Sequence, residues 1–187
     1  MRKIAVFGGS FNPPHVAHAL AVHYVSMAGG FDDILVIPTF VHPNDKPLID
    51  FNHRIRMCQL AFSSIPKVII DPIESTLPTP SYSVNTFKAL HKQFPADYRF
   101  VVGSDILFNK ELWTDIDEVF RLAPPFIIGR LGYPATDVTE QMVLPGVSST
   151  EIRNLLKCSR YGQELNKIMP ERVLQYIQEH GLYTEEE

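Results

Sequence analysis

Seven segments in the first 103 residues alternate between short apolar runs of strand length and longer stretches with helical spacing, and this alternation constrains the fold more than any other property of the chain. Strands are predicted over 3–7, 33–37, 67–71 and 98–103, with helices over 15–28, 51–64 and 83–94 between them. A parallel neighbour can be reached only by a crossover long enough to hold a helix, so the pattern reads as a parallel sheet. Beyond residue 103 it continues with short helices over 106–111 and 115–122, strands over 125–129 and 142–145, and helices over 149–157 and 170–180. The last helix opens with Pro170, where an amide would go unpaired anyway, and stops at Gly181, which accepts the left-handed conformation after a final turn. No repeat, low-complexity tract or linker-like shift interrupts the chain. The expected architecture is therefore one α/β domain over 1–187: a doubly wound, mostly parallel, Rossmann-like sheet with a helical C-terminus. The acidic tail Glu185–Glu187 is expected to fray.

With 187 residues, 45% of them apolar and 20% charged, the chain can bury a sizeable core. A net charge of −4 argues against a broad nucleic-acid or membrane footprint, so any phosphate ligand must be held by a local site. The four apolar residues Ile4–Phe7 are too few for a signal-peptide core, which gives a cytoplasmic expectation. Cys58 and Cys158 form no Cys-x-x-Cys pair and read as buried free thiols rather than a zinc or disulfide framework.

The predicted first strand runs into Gly8-Gly9-Ser10-Phe11-Asn12-Pro13-Pro14-His15-Val16-Ala17-His18 and then a helix. Backbone amides at a helix N-terminus have no intrahelical partner and carry partial positive charge, so a strand, a glycine-bearing turn and a helix start make an anion cradle. His15 and His18, spaced i, i+3, bring two imidazoles to one face of that start. A bare His-x-x-His is also compatible with two structural histidines, and the i, i+4 spacing with glutamate of a zinc helix is absent. A second constellation, Gly146-Val147-Ser148-Ser149-Thr150-Glu151-Ile152-Arg153, also enters a helix from a strand end. Ser148 with Glu151 fits a capping box, while consecutive hydroxyls and an arginine one turn later make a second anion cradle. Two cradles from opposite ends of the chain suit a triphosphate. The connections Pro38 to Asp50 and Pro72 to Tyr82 are longer than the about 2 to 6 residues common in α/β units and follow strand C-termini, where ligands bind, so they read as substrate walls.

Gly8 to His18 resembles the Gly-Ser/Thr-Phe-Asp/Asn-Pro-x-His-x-Gly-His signature of the nucleotidyltransferase superfamily, and Val147 to Arg153 resembles its Ile-Ser-Ser-Thr-x-Ile-Arg motif. Within that superfamily the chain is similar to the nicotinate mononucleotide adenylyltransferases. The matching segments are His53-Arg54 to Leu60-Ala61, Ser81-Tyr82-Ser83-Val84-Asn85-Thr86, Gly103-Ser104-Asp105 followed by Trp113, Gly129-Arg130-Leu131-Gly132-Tyr133, and Met169-Pro170 to Gly181-Leu182-Tyr183.

The resemblance implies adenylyl transfer from ATP, with Mg²⁺, to nicotinate mononucleotide, giving nicotinate adenine dinucleotide and pyrophosphate in NAD biosynthesis. It implies contacts of His15 and His18 with the ATP phosphates and the transition state, with Gly8, Gly9, Ser10 and Phe11 lining the same pocket. Ser149, Thr150 and Arg153 are implied to grip the triphosphate, and Gly103 and Asp105 to hold the adenosine ribose, although an Asp after a strand also serves as a helix cap. Trp113, the only tryptophan, is implied to stack on the pyridine ring, with Thr86 near its carboxylate and Lys46 meeting phosphate. A solitary tryptophan also suits a core and a loop lysine a solvated surface.

Ala17 departs from the motif's glycine, Leu131 from a typical proline, and the segment between Arg130 and Val147 is short, so the mononucleotide wall is expected to differ. Two alternatives stay open: a related nucleotidyltransferase using, for example, nicotinamide mononucleotide, and a catalytically weak nucleotide-binding paralogue. A homo-oligomer is compatible with the sequence, which does not determine it.

Overall fold

Strands β1 (Lys3–Gly9), β2 (Asp33–Pro38), β3 (Val68–Ile70), β4 (Asp97–Gly103), β5 (Pro125–Arg130) and β6 (Glu140–Leu144) form one sheet in the spatial order β3-β2-β1-β4-β5-β6. Every neighbouring pair in it is parallel, as the alternation predicts. This computed structural model describes residues 1–28, 30–134, 140–158 and 163–184, so the Glu185–Glu187 tail lies outside the described residues.

Successive side chains on a strand point to opposite faces, and the apolar runs supply both. Ala5, Ile34, Val36, Val101 and Ile128 face one core, closed by α1 (Val16–Ala28), α2 (Phe51–Phe62), α5 (Ser149–Lys157), α6 (Gln163–Ile168) and α7 (Glu171–Glu179). Ile4, Val6, Leu35, Ile37, Phe100 and Val102 face the other, closed by α3 (Ser83–Gln93) and α4 (Ile116–Leu122). Burying each Ile, Leu or Phe contributes about 1.5–3 kcal/mol, so both sheet faces are strongly specified.

Strand order reverses at β1, whose neighbours β2 and β4 lead away in opposite directions. Ligands in open parallel sheets bind at such a switch, beyond the carboxyl ends of the strands. Gly9 ends β1 and Gly103 ends β4 there.

Several sequence expectations are corrected. Residues 106–111, expected as a helix, fall in two 3-10 turns, Ser104–Phe108 and Lys110–Leu112. Asn109 stops the first at φ −134°, and its side-chain amide donates to the Asp105 carbonyl (3.0 Å), taking the acceptor that a continuing α-helix would use. Helix α6 went unpredicted because it is six residues long and mostly polar, with only Leu165 buried. Cys58 is buried as expected, but Cys158 is exposed because it lies just past the last residue of α5. Within the second long connection, Ile73–Thr76 forms a 3-10 turn. Helix α7 does begin directly after Pro170, and Gly181 takes φ +58° beyond its end. No helix among the described residues is long and apolar enough to cross a membrane.

Candidate active site

The turn joining β1 to α1 is held by its own side chains. Phe11 sits at φ +46°, a left-handed conformation that turns the backbone while its ring enters the core against Phe7, Phe62 and His18. Arg54, buried on α2, donates to Ser10 O (3.1 Å), Thr39 O (2.5 Å), Phe40 O (3.3 Å) and Ile49 O (3.0 Å). Its guanidinium thereby ties the loops after β1 and β2 together, and the carbonyl dipoles offset the burial of its charge.

His15 and His18 lie as expected at the start of α1, with stacked rings 3.7 Å between centroids and 24° between planes. The His15 amide donates to Nδ1 of His18 (3.2 Å), so the third helical residue reaches back to the amide preceding the helix. An accepting Nδ1 fixes the neutral tautomer with its proton on Nε2, a hydrogen-bond donor. Burial, then Arg130, pushes His15 down to about 4; burial, then His15 and Arg130, holds His18 well below its usual range. Both rings are therefore neutral at pH 7, and two imidazolium ions stacked this closely would repel. Nδ1 of His15 is buried with no hydrogen-bond partner among the described residues.

The start of α5 meets the same turn from the other end of the chain. Ser149 Oγ donates to Pro13 O (2.9 Å), and Arg153 donates to Asn12 O (2.8 Å) and to Thr150 Oγ1 (3.2 Å). Ser148 Oγ accepts from the Glu151 amide (3.2 Å), the serine half of the expected capping box; the glutamate half is not made among the described residues. The Ser149 hydroxyl proton is thus committed to the loop, and the amides of Ser149 and Thr150 are the first-turn donors left to an anion.

Past β4, Asp105 folds over Gly103 and its Oδ2 pairs with Arg130 (2.6 Å). A Cβ on Gly103 would lie 2.4 Å from Asp105 Oδ1, so the close approach requires glycine. Buried Ser104 accepts from the Arg130 amide (2.9 Å) and donates to Tyr133 O (2.7 Å), fixing the end of β5. Sequence reasoning assigned Arg130 no role. Its place as the last residue of a parallel strand is the signal that could have found it, and its charge reaches both histidines.

The remaining predicted residues are not brought together. Thr86 Oγ1 donates to buried Glu74 (2.9 Å), whose other oxygen accepts from the Phe40 amide (3.2 Å); burial pushes this carboxyl up against the pull of Ser81 and Thr86. The Phe40 and Val41 amides also donate to Ser81 Oγ (3.2 Å each), so the two long connections form one wall. Trp113 is 38% exposed, edge-on to Phe100 at 5.8 Å, and borders an open cavity with Lys110 and Glu111. Lys46 is exposed beside His42. Among the described residues no hydrogen bond, ion pair or ring contact joins Lys46, Thr86 and Trp113. Ala17 is buried at 6% exposure, its methyl enclosed by the protein.

No group of three His, Cys, Asp or Glu side chains converges as a metal cage among the described residues. Amides, imidazoles and guanidinium groups are anion ligands, a donor set that fits a triphosphate whose own oxygens hold Mg²⁺.

A family model for cytidylyltransferase-like proteins matches residues 6–155. The chain is 38% identical over 187 residues to a probable nicotinate-nucleotide adenylyltransferase of Anaeromyxobacter sp. strain K, covering 97% of each chain. It is 32% identical over 194 residues to the nicotinate-nucleotide adenylyltransferase of Bacillus subtilis strain 168, covering 98% of this chain and 99% of that one. The solved structure of Plasmodium falciparum nicotinic acid mononucleotide adenylyltransferase complexed with NaAD shares the fold, with a TM-score of 0.82 at 21% identity over 98% of both chains.

Proposed function

The chain belongs to the nicotinate-nucleotide adenylyltransferase family of cytidylyltransferase-like proteins, and from that premise we propose that it joins ATP to nicotinate mononucleotide, giving nicotinate adenine dinucleotide and pyrophosphate. The observation that carries the reading is the meeting of the β1–α1 turn with the start of α5, beside two neutral imidazoles at the sheet's switch point. A phosphate oxygen of the mononucleotide attacks the α-phosphorus of ATP, and the bond to the β-phosphate oxygen breaks with departure of pyrophosphate. No protein nucleophile is needed, because such transfers are accelerated by positioning and by stabilising charge on the phosphoryl oxygens.

The chain's donors suit that task. Nε2–H of His18 donates to the reacting phosphate without carrying a full charge when the site is empty. Gly8, Gly9, Ser10 and Phe11 contribute backbone beside it, while the Ser149 and Thr150 amides and Arg153 hold the leaving phosphates. Arg130 neutralises the same charge from β5. Asp105 Oδ2 is taken by Arg130, which leaves Oδ1, over Gly103, to accept from a ribose hydroxyl. Trp113 presents an exposed indole face to the pyridine ring, and Thr86 and Lys46 border the acceptor wall. Mg²⁺ bound to the ATP phosphates supplies further charge neutralisation.

The test is pyrophosphate release from ATP and Mg²⁺ with nicotinate mononucleotide, nicotinamide mononucleotide or phosphopantetheine as acceptor. Release should be greatest with nicotinate mononucleotide. No release with any acceptor, despite measurable ATP binding, contradicts the reading and favours a nucleotide sensor.

A further inference from the structure

Asn12 collects three distant segments. Its side-chain amide donates to Pro47 O (3.1 Å), its backbone carbonyl accepts from Arg153 (2.8 Å), and its Oδ1 accepts from the hydroxyl of Tyr183 (2.8 Å), 171 residues away in sequence. The carbonyl of Pro47, which can only accept, fixes which way the Asn12 amide faces, since reversing it would set Oδ1 against that oxygen. Tyr183 also adopts φ +63°, and Phe11, next to Asn12, φ +46°. A left-handed conformation at a bulky residue is unfavourable and persists only where surrounding contacts impose it. Two such residues flank one hydrogen bond between the end of the chain and the nucleotide turn.

The charges of Arg54 and Arg153 both act on the phenol, and the first of these side chains holds Ser10 and the second Asn12. The ring packs against the core that holds Phe11, and the hydroxyl makes the hydrogen bond to Asn12.

We propose that Tyr183 is a positioning residue for the ATP cradle, fixing through Asn12 the Ser10–Pro13 turn and the Arg153 guanidinium in the arrangement that receives the triphosphate. This rests on the adenylyl-transfer reading for its consequence, while the lock itself concerns the free protein.

The experiment uses Tyr183→Phe, Asn12→Ala and the double variant in the full chain, with amide hydrogen exchange alongside steady-state kinetics. In Tyr183→Phe the amides of Ser10, Phe11, Asn12 and His15 should exchange about fivefold to tenfold faster, the size of one lost hydrogen bond, with those of Ile4–Val6 unchanged. kcat/KM for ATP should fall by a similar factor at unchanged KM for the mononucleotide. In the Asn12→Ala background the same substitution should change neither by more than about twofold. Faster exchange throughout the sheet or global unfolding, a kcat/KM within twofold of the parent, or equal effects in both backgrounds would overturn the proposal. If the parent transfers no adenylyl group at all, the functional reading fails separately, and exchange at Ser10–His15 still decides whether the lock exists.

Discussion

The two halves of the proposed substrate site are built differently. On the proposed ATP side, the β1–α1 turn is pinned from α2, α5 and the segment after α7, by Arg54, Ser149, Arg153 and Tyr183. On the acceptor side, Thr86 is committed to Glu74, Trp113 stands open and Lys46 lies on an exposed loop. A cradle for a highly charged group gains from donors already in place, since donors that need not reorganise stabilise transferred charge most. Damage on the ATP side should therefore appear in turnover, and damage on the acceptor side in the apparent affinity of one substrate.

The largest expected effect that would break this contrast is at the imidazole pair. His18→Ala removes the preorganised Nε2–H donor and should lower kcat by on the order of 10²-fold or more with both substrates saturating. Turnover within a few-fold of the parent would remove His18 from the chemistry. Gly103→Ala comes next. The added methyl would collide with Asp105 Oδ1 at 2.4 Å and dislodge the carboxylate from Arg130, so KM for ATP should rise about tenfold while KM for the mononucleotide holds. An unchanged KM for ATP would separate Asp105 from nucleotide binding. Trp113→Ala gives the mirror image at smaller size: KM for the mononucleotide should rise roughly fivefold, with little change for ATP, because the exposed part of the ring is lost for stacking and the edge contact with Phe100 lies away from the ATP cradle's ties. A loss of thermal stability without a KM change would show instead a structural tryptophan.

Acid stability sharpens the same comparison. His15, at about 4 in the folded protein against 6.5 ordinarily, and His18, also lowered, leave the unfolded chain binding more protons in that window. Stability should therefore fall as pH drops from about 6.5 towards 4. Burial raises the carboxyls of Glu74 and of Asp71, which follows β3, and these act in the opposite sense. Urea unfolding between pH 7 and 4 should show a shallower loss in His15→Gln than in the parent; identical slopes would contradict the buried neutral pair.

What the sequence disclosed followed the range of the interactions. Sheet direction, both faces of the core and the two glycine- and serine-bearing helix entries are encoded locally, by alternation, caps and turns, and were legible. So were His15 and His18, because one helical turn sets their spacing. Arg130 is defined by where a strand ends in the assembled sheet, Glu74 by two loops that meet only after folding, and Tyr183 by a bond spanning 171 residues. No local pattern carries those relations. Ala17 marks the limit from the other side: it departs from a motif glycine, yet its methyl is enclosed by the protein.

A nucleotide polyphosphate is proposed to seat against the neutral His15–His18 pair, where the β1–α1 turn meets the start of α5. Imidazole ¹⁵N resonances, recorded at pH 7 with and without a non-hydrolysable ATP analogue, test it directly. The free protein should show both rings neutral and His18 protonated at Nε2; the analogue should shift both rings and raise their apparent pKa values, since an adjacent anion favours the charged form. Imidazolium signals in the free protein, or resonances unmoved by saturating analogue, would contradict the account.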